Sequence, residues 1–135
     1  MNRTGFSLAL LRVVTGIIFM AHGWPKILGG VPETAAFFGQ LGIPAPTAAA
    51  WLIALLESLG GLALLLGILV TPFALLLALH MLTGIVLVHS KIGFYVLGPG
   101  QGGMEFNLIL IAALITLVLQ GPGSWALRGR KPATV

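Results

Sequence analysis

Four long apolar stretches dominate the chain, at residues 6–22, 48–70, 72–89 and 105–120. Each is a near-continuous run of Leu, Ile, Val, Ala and Phe, without the alternation of a barrel strand. The last two, at roughly 16–18 residues, sit at the short end of what crosses a bilayer. In hydrocarbon the backbone must satisfy its own polar groups, so the stretches are predicted to be helices. The predicted fold class is all-α: an integral membrane four-helix bundle forming a single domain over 1–135. Val70-Thr71-Pro72 joins the second and third spans as a tight hairpin, with Pro72 at a favourable first helical position. Residues 24–47 and 90–104 are longer connections. The first contains Pro32 to Gly42, expected to form a short interfacial helix, followed by a turn through Pro44 and Pro46. The second is rich in glycine: Gly93, Gly98, Gly100, Gly102 and Gly103. Either the two connections cap one mouth of the bundle or they are plain surface loops. Arg3 resembles the basic start of a signal peptide. However, Arg12 interrupts the apolar core and no small-x-small cleavage site follows, so residues 6–22 are read as a retained span.

The polar exceptions inside the spans change the picture most. A charge at mid-bilayer costs roughly 2.5–3.5 kcal/mol on insertion scales and usually faces a partner or a polar cavity. Arg12 and Glu57 are such charges. At about 100° per residue, Arg12, Thr15, Phe19, His22 and Lys26 share one helical stripe, although Pro25 can bend the chain before Lys26. Glu57 shares its face with Gly61 and Leu64, with Gly60 nearby, and glycines beside a buried carboxylate let another helix approach closely. His80 aligns with Gly84, while His89, nine residues on, falls about 180° away. Depth estimates place Arg12, Glu57 and His80 mid-bundle, so an Arg12–Glu57 ion pair is expected. His22, Lys26, Glu33, His89, Lys91 and Glu105 are expected at the outer mouth. The ion pair either fixes helix register or orients a polar head group, with His80 as proton donor or acceptor.

Composition supports the membrane reading: 58% of residues are hydrophobic and 7% charged, against about 25% charged in soluble domains. The chain lacks cysteine, which excludes disulfides, thiolate catalysis and dithiol–quinone exchange. The net charge of +4 does not indicate nucleic acid, because Arg3, Arg128, Arg130 and Lys131 cluster at the termini. Against Lys26 and Lys91 on the other side, they place both termini in the cytoplasm. His22 and His89 are the pair a haem would need, and with Glu105 a zinc ion, but no spacing motif supports either and haem is not expected. Walker, Rossmann and nucleophile-elbow patterns are absent.

The ordered set Leu10-Leu11-Arg12, Gly16, Phe19, His22-Gly23 and Lys26 resembles the DoxX family of small four-span membrane proteins. So do Phe38, Leu41-Gly42-Ile43-Pro44-Ala45-Pro46, Glu57, Gly60-Gly61-Leu62 and Gly67. Gly102-Gly103-Met104-Glu105-Phe106-Asn107-Leu108 and Gly121-Pro122-Gly123 complete the pattern across nearly the whole chain. The resemblance implies a bundle in the cytoplasmic (inner) membrane. It also implies a link to redox complexes, since some relatives are subunits of a thiosulfate:quinone oxidoreductase or a terminal quinol oxidase. The functional expectation is a subunit or accessory of a membrane redox or detoxification system, with quinone as the candidate ligand. Arg12, Glu57, His80, His22, Lys26 and Glu105 are the expected ligand-binding residues. Expected partners are the lipid bilayer, a redox partner protein and further copies of the chain. The alternatives are a non-enzymatic structural membrane protein and a small oligomeric transporter.

Overall fold

The structure, a computed structural model, describes residues 2–98 and 101–127. Gly100 and the basic residues Arg128, Arg130 and Lys131 lie outside the described residues. Six helices follow in order: α1 (Arg3–Pro25), α2 (Val31–Gln40), α3 (Pro46–Leu66), α4 (Val70–Gly84), α5 (Ser90–Ile92) and α6 (Glu105–Gln120). Two π-helical turns, Lys26–Gly30 and Ile85–His89, link α1 to α2 and α4 to α5. Three helical stretches are long and apolar enough to cross a membrane: Arg3–Gln40, Pro46–Leu66 and Val70–Ile92. α6 is apolar but shorter. The expected all-α bundle is therefore observed, and the short helix expected in the first long connection is α2.

α1 packs chiefly on α3, α4 on α6, and α3 on α4. The main core joins Phe19, Leu64, Leu77, Leu110, Leu114 and Leu117. A second cluster of Val31, Ala35, Ala50 and Ala54 seats α2 on α3. Leucines such as Leu52, Leu79 and Leu119 remain exposed, as expected for faces turned to lipid. The α1–α3 crossing rests on glycine. A Cβ built on Gly61 would lie 2.7 Å from Gly16 O, and one on Gly16 would lie 2.7 Å from Gly61 O. Backbone thus meets backbone, the close approach that small residues permit between membrane helices.

The hairpin between α3 and α4 differs from the expected one. α3 stops at Leu66, Gly67 takes a left-handed φ of 73° as its cap, and the turn is Gly67-Ile68-Leu69. Val70 already begins α4. Gly67 needs its glycine twice over: L side chains rarely adopt that φ, and a Cβ there would meet Ala126 and Arg12.

The chain returns past α6 to the start of α1. Ser124 N donates to Gly5 O at 2.9 Å, and the Trp125 ring meets Phe6 edge-on. The segment after α6 therefore lies beside the start of α1, as an even number of spans requires. At the opposite end, residues 93–94 and 104–105 are drawn together by Met104 N to Gly93 O and Glu105 N to Phe94 O.

Candidate functional site

Two polar centres lie along the bundle, and the expected Arg12–Glu57 pair is not one of them. Arg12 is 1% exposed, yet among the described residues all its partners are main-chain carbonyls. Nη1 donates to Leu64 O at 2.6 Å and Leu65 O at 2.8 Å. Nε donates to Pro122 O at 2.8 Å and Nη2 to Ser124 O at 3.2 Å. The cause is helix termination. An α-helix leaves its last four carbonyls without partners and carries partial negative charge there. At the end of α3, Ile68 N satisfies Ala63 O and Leu127 N satisfies Leu66 O. Arg12 supplies Leu65 O and shares Leu64 O with Gly67 N. The guanidinium thereby ties α1, the end of α3 and the segment after α6 into one knot.

Glu57 finds other partners. Lys26 Nζ lies 2.5 Å from Glu57 Oε2, and His80 Nε2 donates to Glu57 Oε1 at 2.9 Å. The carboxylate can only accept, so the proton on His80 sits on Nε2. Lys26 reaches Glu57 because of Pro25. Proline disrupts the preceding turn of a helix, and Lys26 N donates to Gly23 O instead of His22 O. His22 O is then taken up by Lys26 Nζ itself at 2.8 Å. Folding its stem back toward the bundle delivers the ammonium to Glu57, a form of snorkelling directed inward. Gly23 permits the approach, since a Cβ there would lie 2.7 Å from Glu57 Cβ.

The Lys26–Glu57–His80 triad stands on the wall of a cavity of about 520 Å³ between α1, α2, α3, α4 and α6. Most of the remaining wall is apolar, including Ile18, Phe19, Phe38, Ile53, Val88 and Leu110. His22, Glu33, Thr34, His89 and Asn107 add polar groups. Of the expected site residues, the cavity gathers Glu57, His80, His22 and Lys26. Arg12 does not line it. Glu105 also stands apart, accepting from Val96 N at 2.7 Å and so holding the glycine-rich connection to the start of α6. Among the described residues, none of that connection lines the cavity; α2 does, through Glu33, Thr34, Phe37 and Phe38.

His89 is the largest departure from helical-wheel geometry. Placed opposite His80 by an ideal helix, it lines the same cavity. The π turn over Ile85–His89 absorbs one extra residue. Nine positions then act as eight, and the offset falls from about 180° to about 80°. No residue pattern announces a π turn. Asn107 was missed despite a usable signal: a lone amide in an apolar helix needs a partner. It donates through Nδ2 to Met81 O at 3.2 Å. Among the described residues, no three of His, Cys, Asp or Glu converge as a metal ion would require.

The chain is similar in sequence to known membrane proteins. A family model described as DoxX matches residues 7–90. The Bacillus subtilis protein named "Putative oxidoreductase CatD" is 35% identical over 131 residues, covering 93% of this chain and 91% of that protein. Escherichia coli "Inner membrane protein YqjF" is 31% identical over 118 residues, covering 86% of this chain and 85% of its own. "Inner membrane protein YphA" of the same organism is 27% identical over 125 residues, covering 91% and 89%. No solved structure matches. The family match spans more than half of the chain, from the helix that carries Arg12 to the turn that carries His89, and the chain belongs to the DoxX family of membrane proteins.

Proposed function

We propose that the cavity binds a quinone or a similar lipophilic molecule with a polar head, and that the protein serves a membrane redox or detoxification system as subunit or accessory. The observation that carries this reading is the Lys26–Glu57–His80 triad set in an otherwise largely apolar cavity. Its volume, about 520 Å³, falls within the roughly 300–1,000 Å³ of small-molecule sites. Lys26 has three donors, and two are engaged by His22 O and Glu57. The third can meet a head-group oxygen, while Phe38 and Phe106 offer apolar surface to a ring. The chain has no cysteine, so electrons would travel on the ligand and be exchanged with a partner protein. The printed name of the Bacillus subtilis relative, an oxidoreductase, favours the same direction. Terminal basic residues favour cytoplasmic ends, which would place the cavity in the outer half of the membrane.

The test is titration of duroquinone into the purified protein in lipid nanodiscs, followed calorimetrically. Saturable binding is expected, weakened about tenfold or more by Glu57→Gln and by Lys26→Met, a loss of about 1.4 kcal/mol or more. No saturable binding, or binding unchanged in both folded variants, contradicts the proposal.

A further inference from the structure

Unlike the Lys26 ammonium, which can only donate, a second polar group of the cavity offers lone pairs. His89 Nδ1 lies 2.5 Å from Gly102 O. A carbonyl can only accept, so Nδ1 carries the proton, and in the neutral ring Nε2 is left as an acceptor. Asn107 is 6% exposed; one N–H of its Nδ2 donates to Met81 O, and the amide keeps a second N–H. Its Oδ1 has no hydrogen-bond partner among the described residues, and Asn107 lines the cavity. The two groups meet over Gly84: a Cβ there would lie 3.2 Å from Asn107 Nδ2 and 3.7 Å from His89 Nε2. Gly84 stands one turn from His80 on α4. The absent side chain therefore lets Asn107 and His89 close onto α4 beside the histidine of the triad.

We infer that His89 and Asn107 form a specificity pole that accepts a hydrogen bond from a ligand hydroxyl. The site then selects the hydroxyl-bearing form of its ligand, a lipophilic phenol or hydroquinol, over a form with carbonyls or ethers at that position. This rests on the proposed ligand-binding reading and narrows its ligand class. The physical reason is asymmetric. A hydroxyl can donate to the pole, whereas a carbonyl or ether oxygen there leaves the His89 Nε2 lone pair unanswered, which costs binding free energy. Lys26 at the other side can donate to an oxygen of either form. The glycine-rich connection acquires a role as well: the Gly102 carbonyl holds His89 in the accepting tautomer, so that backbone positions the pole without lining the cavity.

The test compares 4-hexylphenol with its methyl ether, 4-hexylanisole, which lacks the donor, alongside duroquinone, all titrated into the protein in nanodiscs. The wild-type protein is expected to bind the phenol about tenfold or more tightly than the ether. His89→Phe and Asn107→Leu are each expected to bring that ratio close to one while duroquinone still binds, which also shows the variants folded. If duroquinone binds but the ratio is near one, or persists in both variants, the specificity pole is overturned and the ligand-binding reading stands. If none of the three compounds binds saturably, the ligand-binding reading itself fails and the pole falls with it.

Discussion

Lys26 and Glu57, separated by 31 positions and carried on different parts of the bundle, join at 2.5 Å beneath the π turn that follows Pro25. The lysine side chain is 23% exposed and the glutamate 6%, so the carboxylate is the buried partner and the ammonium closes it from one side. His80 closes it from the other. A buried carboxylate stripped of such partners is strongly disfavoured, and a buried ion pair does not guarantee net stability.

The two halves of this pair therefore respond unequally to substitution. Lys26→Met alone leaves Glu57 with a single imidazole partner and is expected to cost about 3 kcal/mol. Adding Glu57→Met is expected to recover much of that loss, because similar-sized apolar residues often replace a buried pair at little cost. Chemical denaturation of the three variants in detergent, read as a double-mutant cycle, checks the coupling. Additive losses would show that the two side chains do not act as a pair.

Arg12 is expected to be the more critical charge for folding. Arg12→Lys keeps the charge but loses the fork that reaches several carbonyls at once. Arg12→Leu leaves the end of α3 without a donor for Leu65 O. Losses of about 3–5 kcal/mol are expected for the leucine variant, with the lysine variant intermediate. Thermal melting in detergent measures the order. A lysine variant as labile as the leucine one would show that geometry, not charge, holds the knot.

How much of this was legible in the sequence follows from where helices end. The four spans, α2 and the functional suspicion attached to Glu57 and His80 could all be read from apolar runs and lone polar residues. The Arg12 partner could not. A second span continued to Val70 would have given the Leu64 and Leu65 carbonyls their own N–H partners, leaving Glu57 as the natural mate for Arg12. Because Gly67 turns left-handed instead, Leu65 O is left to Arg12 alone and Leu64 O is shared between Arg12 and Gly67 N. Lys26 shares a stripe with Arg12 in the sequence, but its depth along the helix points to the mouth; its stem folds back from there to Glu57. His89 was misplaced for a different reason: ideal periodicity fails across a π turn.

That last point yields a prediction of its own. Deleting Val86, an exposed residue of the π turn, converts the nine-residue spacing into eight and allows a regular α-helix. His89 is then expected to stay on the cavity face and keep its proton on Nδ1. Nitrogen-15 NMR of labelled histidine reads the tautomer directly. A shift of the proton to Nε2 in the deletion variant would mean that the π turn does more than adjust register.

The glycine crossing makes a further expectation. Gly61→Leu forces a side chain into the α1 backbone where even a Cβ lies 2.7 Å from Met20 N. α1 and α3 must separate, and Lys26, carried beyond the end of α1, moves away from Glu57. Loss of duroquinone binding is expected together with a lower melting temperature. Gly39→Ala, where a Cβ meets only Pro46 Cγ at 4.0 Å, serves as the tolerated control.

The central claim, that the triad-lined cavity holds the polar head of a lipophilic ligand, is tested most directly by photoaffinity mapping. An azidoquinone is irradiated with the protein in nanodiscs, with and without excess duroquinone, and the labelled peptides are identified by mass spectrometry. The account predicts saturable, competable labelling confined to cavity segments, chiefly α2 and the stretch from His80 to His89. Labelling spread over exposed faces such as Leu52, Leu79 and Leu119, with no competition by duroquinone, would contradict it.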